Sequence, residues 1–435
     1  MNKKVLKTKT RFFIFNHGMV THPEEISTSE SLQRAINKNL GNSYIGWSVC
    51  KALNINPNEL HGVANVWSPE KAYPPAEYIN SNFDHVIFIL QDQLRQSFSN
   101  LPFGLLTELL SKIDLPFTVF SLGANAFGGG VNELVANLKQ DQISFYKLLS
   151  DKAKNLGIRG EFTASVLEKL KITNIKIHGC PTYFESSPER EVKTPDSFGE
   201  LPVLRTGVYS SQDFQWHGFE YAFQCFELEK SFIEFIYFGS RDRRQRESLL
   251  KTLNALPPLY ARGLFHAIFE GRAHFFSSVW AWKELFKKNR FRMSVGTRVH
   301  GSIMALNSGV PALLTNVDYR AREMAGFLGI PYDPSVGPET KVEKIEEQID
   351  VEHINKTYKL RFSEYLNWFY DEFSFEPNFK EPPCFMEGLD INKRELNHIR
   401  LDLLRVLPHA RFISLRDGLK LLLRFPFLHK ALKTG

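Results

Sequence analysis

An arginine and a histidine that could do chemistry stand two positions apart in the stretch SVGTRVHGSIMALNSGVP. Arg298 and His300 follow a short apolar run, and Gly296 and Gly301 beside them allow the backbone to turn tightly. The small residues that come next predict a helix whose N-terminus lies at this pair. A helix N-terminus carries unpaired amide groups and a positive dipole end, so it favours anions. Arginine adds a bidentate donor, and histidine adds a group that titrates near neutral pH.

This combination suits a small substrate that carries both a phosphate and a carboxylate. The same residues also allow a structural interpretation, in which Arg298 pairs with a carboxylate of the fold and His300 caps the turn. Their spacing is compatible with both interpretations, so the elements that position the pair must be considered next.

Length and composition restrict the class of protein. The chain has 435 residues, enough for two ordinary domains, and its 43% hydrophobic and 23% charged residues are typical of a globular protein. The formal net charge of +6 favours anionic partners in general. The four cysteines are widely separated, which argues against a disulfide framework and indicates a reducing compartment.

The N-terminal run FFIF is too short for a signal peptide, and no apolar window approaches the length of a spanning helix. We therefore expect a cytoplasmic protein.

Apolar runs alternate with helical patterns along the chain. RFFIFNHG, DHVIFIL and FTVFSLG have the character of buried strands, and ISFYKLLSDKAKNLG has the character of a helix. This rhythm predicts parallel βαβ units, and a polar stretch at 186–202 predicts a linker. We therefore expect an α/β fold with two Rossmann-like domains and a central cleft. The predicted domains are 1–185 and 203–340, with a C-terminal helical extension at 341–435.

Further candidate residues follow from the rule that ligands bind at the carboxyl ends of parallel strands. Each candidate also has a structural interpretation: a hydrogen-bonded histidine, a strand-to-helix turn, an ion pair, or a charge on a solvated face. The candidates in these loops are His17, Gly123, Asn125 and Arg241.

The last stretch of the chain, 393–435, mixes Leu and Phe with Arg and Lys and contains few acidic residues. A basic amphipathic helix of this kind can lie on an anionic membrane surface, which would place the protein at the inner face of the membrane. In the alternative, a terminal helix packs on its own domain or on a partner chain. Both interpretations remain open.

The segment GTRVHGSIMALNSGVPALLTNVDYRAREMAGFLGIP, residues 296–331, resembles the polysaccharide pyruvyltransferase family. The resemblance lies in Gly-x-Arg-x-His, in Ala-x-x-x-Gly-Val-Pro, and in a basic turn followed by Leu-Gly-Ile-Pro. SLGAN, GIRGEFTASVLEKL and IHGCP support it, and it covers roughly residues 11 to 335. The basic turn has Arg320 where lysine is usual, and in NLGN, at 39–42, Asn42 stands where aspartate is usual.

The resemblance implies a fold similar to GT-B glycosyltransferases and the transfer of pyruvate from phosphoenolpyruvate to two hydroxyls of a sugar, forming a cyclic ketal. The acceptor would be a polysaccharide such as a capsule or exopolysaccharide, or its lipid-linked precursor. His300 and Arg298 are then the catalytic residues, and His300 is a general acid with a pKa near neutrality. We expect no cofactor and no nucleic-acid partner. We also expect no metal, because the sequence has no HExxH motif or carboxylate cluster that would hold one. The expected substrate-binding residues are His17, Gly123, Asn125, Arg159, Arg241, Gly296, Gly301 and Arg320.

Two other functions share the same pattern. One is a GT-B-type glycosyltransferase that uses a nucleotide sugar in cell-surface polysaccharide synthesis, because such enzymes also bind a diphosphate with a helix N-terminus and an arginine. The other is a non-catalytic binding protein of a polysaccharide assembly complex, against which the Arg-x-His pair argues. Donor binding separates the first two: protection by phosphoenolpyruvate favours pyruvyl transfer, and protection by a nucleotide sugar favours glycosyl transfer.

Overall fold

The structure is a computed structural model of the 435-residue chain. Two predictions from the sequence lie outside the residues that the structure describes. They concern Arg241 and the basic tail 393–435. The structure describes residues 10–18, 39–56, 60–67, 73–96, 102–126, 129–208, 211–216, 218–223, 247, 257–276, 279–288, 291–316 and 318–380.

The strands of the N-terminal half are β1 (Phe12–Phe15), β2 (Gly62–Val63), β3 (His85–Ile89), β4 (Leu94–Arg95), β5 (Phe117–Leu122), β6 (Ala124–Asn125), β7 (Ala153–Ile158) and β8 (Ile175–Ile177). Six of them form a parallel sheet in the order β2-β1-β3-β5-β7-β8, and β4 pairs in parallel with β6. β1 and β5 are buried at every position. A strand covered on both faces has no polar side to alternate with, which explains its continuous apolar sequence.

The strands of the second sheet are β9 (Val203–Thr206), β10 (Phe219–Phe223), β11 (Ala273–Phe275), β12 (Met293–Gly296) and β13 (Ala312–Leu314). They pair in parallel in the order β11-β10-β9-β12-β13. The α/β class and the parallel sheets predicted from the sequence are thus confirmed. β10 was not predicted, since it is short and its FEYAF sequence is not a continuous apolar run.

Helices connect the strands in both halves, and one predicted boundary was wrong. ISFYKLLSDKAKNLG was predicted as one helix, but the helix ends at Lys152 and the next residues form β7 beside β5. Helix and strand follow each other without a loop, so no turn residue marks the change. The helices are α1 (Leu40–Ala52), α2 (Ala76–Asn82), α3 (Phe103–Ser111), α4 (Val131–Ala136), α5 (Gln140–Lys152), α6 (Glu161–Lys169), α7 (Pro258–Glu270), α8 (Val279–Lys288), α9 (Val299–Asn307), α10 (Tyr319–Leu328), α11 (Val342–Glu346) and α12 (Val351–Phe373).

The long helix α12 follows the second sheet in sequence but packs on the first. The ring of Phe120 in β5 lies edge-on to Trp368, with centroids 5.1 Å apart. Glu372, near the end of α12, accepts a hydrogen bond from Thr118 at 3.3 Å. The last described helix therefore ties the two halves of the chain together. None of the described helices combines the length and the hydrophobicity needed to cross a bilayer.

The polar stretch 186–202 packs against this helix. The guanidinium carbon of Arg190 lies 3.4 Å from the ring centroid of Tyr358, and its Nη2 donates to the Tyr183 hydroxyl at 3.1 Å. Asn355 both accepts from the backbone N–H of Val192 and donates to its carbonyl, each at 2.9 Å. The predicted division into domains at this stretch stays a prediction.

A buried ion cluster joins α1 to α8. The carboxylate of Glu185 accepts from Lys51 at 2.8 Å and from Lys283 at 3.1 Å. It also accepts from the Tyr44 hydroxyl at 2.9 Å, and that hydroxyl accepts from Asn307 at 2.8 Å. Burial opposes ionisation of Glu185, but the charges of Lys283 and Lys51 outweigh it and hold its pKa below the usual value. The cluster thus links α1, α8 and α9 through the carboxylate of Glu185 and the hydroxyl of Tyr44.

Candidate active site

A cavity of about 340 Å³ lies where strands of both sheets end. Its first wall follows β3, β7 and the start of α1, and its second wall follows β12 and β13. Ligands of open parallel sheets bind at these strand ends, because the helix N-termini converge there. The first wall contains Asn39, Asn42, Asp92 and Arg159. After β12, the second wall contains Thr297, Arg298, Val299 and His300. After β13, it contains Asn316, Asp318, Arg320, Ala321 and Met324.

The N-terminus of α9 opens into this cavity. Arg298 is its N-cap residue, in an extended conformation, and its carbonyl accepts from the N–H groups of Gly301 and Ser302 at 2.9 and 3.2 Å. The helix begins at Val299, as the small-residue pattern predicts. The N–H groups of Val299 and His300 precede these two and have no acceptor within the helix, so they add to the positive potential of the cavity.

Three guanidinium groups surround the cavity, and two aspartates partly neutralise them. Arg320 pairs with Asp92 across the cavity, and its Nε donates to Asp318 at 2.7 Å. Arg159 is buried, and its Nε donates to the Ser121 hydroxyl at 3.0 Å. Asp92 follows β3, so its pair with Arg320 connects the first sheet to α10.

The imidazole of His300 is neutral at physiological pH. Burial is the largest cause that lowers the pKa of its imidazole to about 3. The positive charges of Arg159, Arg320 and Arg298 act in the same direction, and the carboxylate of Asp92 opposes them. A pKa near neutrality was expected from the sequence, and the difference comes from the burial of His300 among cations. Burial also lowers the pKa of Arg298 to about 10, which leaves it charged at neutral pH.

The imidazole of His300 is held between two groups from the first half of the chain. Its Nε2 lies 3.6 Å from the Sγ of Cys180. On the other side, a Cβ placed on Gly41 would lie 2.6 Å from its Nδ1. Gly41 belongs to the first turn of α1, where its N–H donates to the side chain of Asn39 at 3.0 Å. The N-termini of α1 and α9 therefore meet at this histidine.

Three of the predicted glycines make room for neighbours and do not line the cavity. A Cβ on Gly123 would lie 2.7 Å from the Cδ of Arg159, so this glycine lets the arginine side chain pass. A Cβ on Gly296 would lie 2.0 Å from the carbonyl oxygen of Thr206, and one on Gly301 would lie 2.9 Å from the Cβ of the same threonine. These two glycines allow β12 and α9 to approach β9 closely.

The two remaining candidates, His17 and Asn125, do not line the first cavity. His17 is buried beneath α1, where its carbonyl would lie 1.7 Å from a Cβ on Gly46, and it does not line the cavity. Asn125 lines a second cavity of about 350 Å³ next to the first. Asp92, Asp318 and Arg320 line both cavities. Of the predicted residues, the first cavity thus brings together Arg159, Arg298, His300 and Arg320.

Sequence reasoning missed several residues of this region. Asp92 stands two residues after the run DHVIFIL, so the strand-end rule could have found it. Glu323 had no such signal: its carboxylate accepts from the N–H and the hydroxyl of Thr163 at 2.9 and 2.7 Å, which ties α10 to α6. Burial raises the pKa of Glu323 to about 6. Among the described residues, no group of histidine, cysteine and carboxylate side chains could hold a metal ion.

Comparison with known proteins defines the class. Residues 39–319 match the family described as polysaccharide pyruvyl transferase, a match that starts at the N-cap of α1 and ends at the first residue of α10. The match covers more than half of the chain, so the chain belongs to the polysaccharide pyruvyl transferase family. It is therefore a transferase enzyme, which transfers a pyruvyl group to a polysaccharide.

No protein of curated function matches the sequence. Among solved structures, the S. aureus MnaA–UDP co-structure is similar, with a TM-score of 0.37 and 11% sequence identity over 86% of this chain and 100% of that chain. This likeness is too distant to support an argument about the present chain.

Proposed function

We propose that this enzyme takes phosphoenolpyruvate as its donor and forms a pyruvate ketal on two hydroxyls of a saccharide. The saccharide is part of a polysaccharide or of its lipid-linked precursor. The observation that carries the proposal is the group of Arg159, Arg298 and Arg320 around His300, at the N-terminus of α9. A donor with a carboxylate and a phosphate close together needs several fixed cations in one cavity, and this cavity supplies them.

The binding roles follow from the position of each cation. Arg298 stands at the start of α9, so its fork and the first-turn amides bind one anionic group together. Arg159 and Arg320 come from opposite walls and bind the other group between them. Arg320 is already paired with Asp92 and Asp318, which hold it in place before the donor arrives.

The chemistry begins at the methylene carbon of phosphoenolpyruvate. His300 donates a proton to this carbon, which leaves an oxocarbenium centre at C2. One sugar hydroxyl adds to C2, the phosphate leaves with its bridging oxygen, and a second hydroxyl closes the ring. Of the two hydroxyl protons, one returns to His300 and the other leaves with the phosphate, so the enzyme is regenerated. Positioned cations stabilise the departing phosphate, and general acid catalysis supplies about 10²–10⁴ in rate.

The donor itself makes His300 an acid in this proposal. The imidazole is neutral in the protein alone, since burial and three arginines lower its pKa to about 3. The negative charges of the donor offset those of the arginines and add an attraction for the imidazolium. Both effects raise the pKa of His300, so the proton is taken up when the donor binds.

The proposal is tested by incubating the protein with phosphoenolpyruvate and a panel of nitrophenyl and lipid-linked sugars. We expect phosphate release that depends on the acceptor, together with a product whose mass corresponds to a pyruvate ketal. Protection against thermal unfolding is measured in parallel with phosphoenolpyruvate and with nucleotide sugars. Protection by a nucleotide sugar, with no phosphate release from phosphoenolpyruvate, would contradict the proposal and favour a glycosyltransferase.

A further inference from the structure

The second cavity has the features of a sugar site. It encloses about 350 Å³ and shares Asp92, Asp318 and Arg320 with the first cavity. The two spaces therefore meet at one ion-paired group. A molecule in the second cavity can reach a molecule in the first past this group, which is the relationship that an acceptor and a donor require.

An aromatic ring forms part of the wall of the second cavity. Tyr319 is 38% exposed, and its ring stacks on Phe162 with centroids 5.6 Å apart and an angle of 24° between the planes. Arg322 lies at 5.5 Å from the same ring centroid. Phe162 thus supports the ring of Tyr319, and the exposed part of this side chain adds an amphipathic surface to a cavity lined by both apolar and polar groups. Such a surface suits a pyranose ring, which has an apolar C–H face and a polar hydroxyl rim.

The polar groups of the second cavity match hydroxyls. Asn125 is buried and offers both an amide donor and a carbonyl acceptor, and the two aspartates offer acceptors. Arg95 and Arg322 also line this cavity, and their guanidinium groups are donors. Sugar hydroxyls both donate and accept hydrogen bonds, so a mixed wall of this kind binds them better than a wall of one type.

Charge indicates which kind of sugar fits. The two cavities together are lined by five arginines and two aspartates, a formal net charge of +3. Phosphoenolpyruvate carries about −2.5 to −3 at neutral pH, since a phosphate contributes about −1.5 to −2 and the carboxylate adds one more. The donor therefore offsets the charge of the described residues that line the two cavities. Among these residues, no net positive charge is left over for an acidic acceptor.

We infer that the second cavity binds the acceptor as an uncharged pyranose ring stacked on Tyr319, with its reacting hydroxyls directed past Asp92 toward the donor. This inference rests on the proposed function, because it assigns the first cavity to phosphoenolpyruvate. It adds the place of the acceptor and its chemical class.

Variants of Tyr319 test the inference in the full-length protein. Tyr319→Ala removes the stacking surface, so we expect the acceptor KM to rise roughly tenfold while the affinity for phosphoenolpyruvate stays unchanged. Tyr319→Phe keeps the ring and should keep the KM close to wild type. Tyr370→Ala is the matched control, because Tyr370 is a 56% exposed tyrosine on α12 that lines neither cavity.

The acceptor class is tested with neutral nitrophenyl hexosides, each compared with the uronide of the same ring. Binding is followed by saturation-transfer NMR with phosphoenolpyruvate present, and turnover by phosphate release. We expect the neutral sugar to bind better in each pair. An unchanged KM in Tyr319→Ala, a preference for the uronides, or no binding of any neutral hexoside would overturn the inference. Failure of the wild-type protein to bind phosphoenolpyruvate would instead overturn the proposed function, and the inference with it.

Discussion

Gly41 and His300 are in contact across the two halves of the chain: a Cβ on Gly41 would lie 2.6 Å from the imidazole Nδ1. The Sγ of Cys180 lies 3.6 Å from Nε2 on the other side of the ring. The imidazole therefore cannot move away from a side chain at position 41 without losing its place at the cavity. The glycine of NLGN is explained by this contact and not by its backbone conformation.

Gly41→Ala is expected to lower kcat by at least about tenfold. Real Cβ atoms do not approach a ring so closely, so the imidazole of His300 must shift. A misplacement of about 1 Å can lower a rate by about two orders of magnitude. The control is Gly104→Ala in α3, where a Cβ meets no atom within 4 Å. Steady-state kinetics with phosphate release compare the two. Equal kcat values in both variants would show that the contact does not position His300.

His300→Ala is expected to remove nearly all turnover, with a loss of about 10²–10⁴ in kcat, because the methylene carbon then lacks its proton donor. Phosphoenolpyruvate should still bind, since the three arginines remain. Calorimetry measures the binding and phosphate release measures the rate. A variant with near-wild-type kcat would remove His300 from the mechanism.

Arg298→Lys is expected to weaken donor binding roughly ten- to a hundredfold, because lysine keeps the charge but loses the fork that bonds an anion through two N–H groups. The melting temperature should change little, since the site faces a cavity and lysine preserves the positive charge. Donor titration and thermal unfolding are measured on the same preparation. A large fall in melting temperature with intact donor affinity would show that Arg298 is a structural residue.

Donor binding should be accompanied by proton uptake at His300. The pKa of this group is about 3 without a ligand, so it is neutral at pH 6, and the donor raises the pKa toward the working pH. Uptake therefore increases as the pH falls from 7 to 6, up to one proton. Calorimetry in buffers of different ionisation enthalpy measures it. Phosphoenolpyruvate also titrates near this pH, so His300→Ala provides the baseline, and an identical proton count in the variant would rule out this linkage.

Glu185→Gln is expected to destabilise the fold by about 3–5 kcal/mol, because it leaves Lys51 and Lys283 buried without their counter-ion. The matched control is Glu108→Gln, which removes the exposed pair with Lys112 and should cost less than about 1 kcal/mol. Urea unfolding at neutral pH measures both. Similar losses in the two variants would mean that the buried cluster contributes no more than a surface pair.

Local patterns in the sequence were sufficient for many of the elements and for the family. Continuous apolar runs predicted the parallel strands because burial on both faces leaves no polar side. The small residues after Arg298 predicted the start of α9, since helix initiation depends on neighbouring residues. The boundary between α5 and β7 could not be predicted, because pairing with β5 decides it and β5 lies about thirty residues away in sequence.

The composition of the site was decided by the tertiary structure. Asp92, Arg159 and Arg320 meet at His300 because strand ends from two sheets converge, and no local pattern records which loops face each other. The same convergence directs Gly296 and Gly301 toward Thr206 and turns His17 away from the cavity. The sequence alone determined that an arginine and a histidine stand at a helix N-terminus. Only the fold decided that the histidine is neutral, since its pKa depends on burial and on charges contributed by distant parts of the chain.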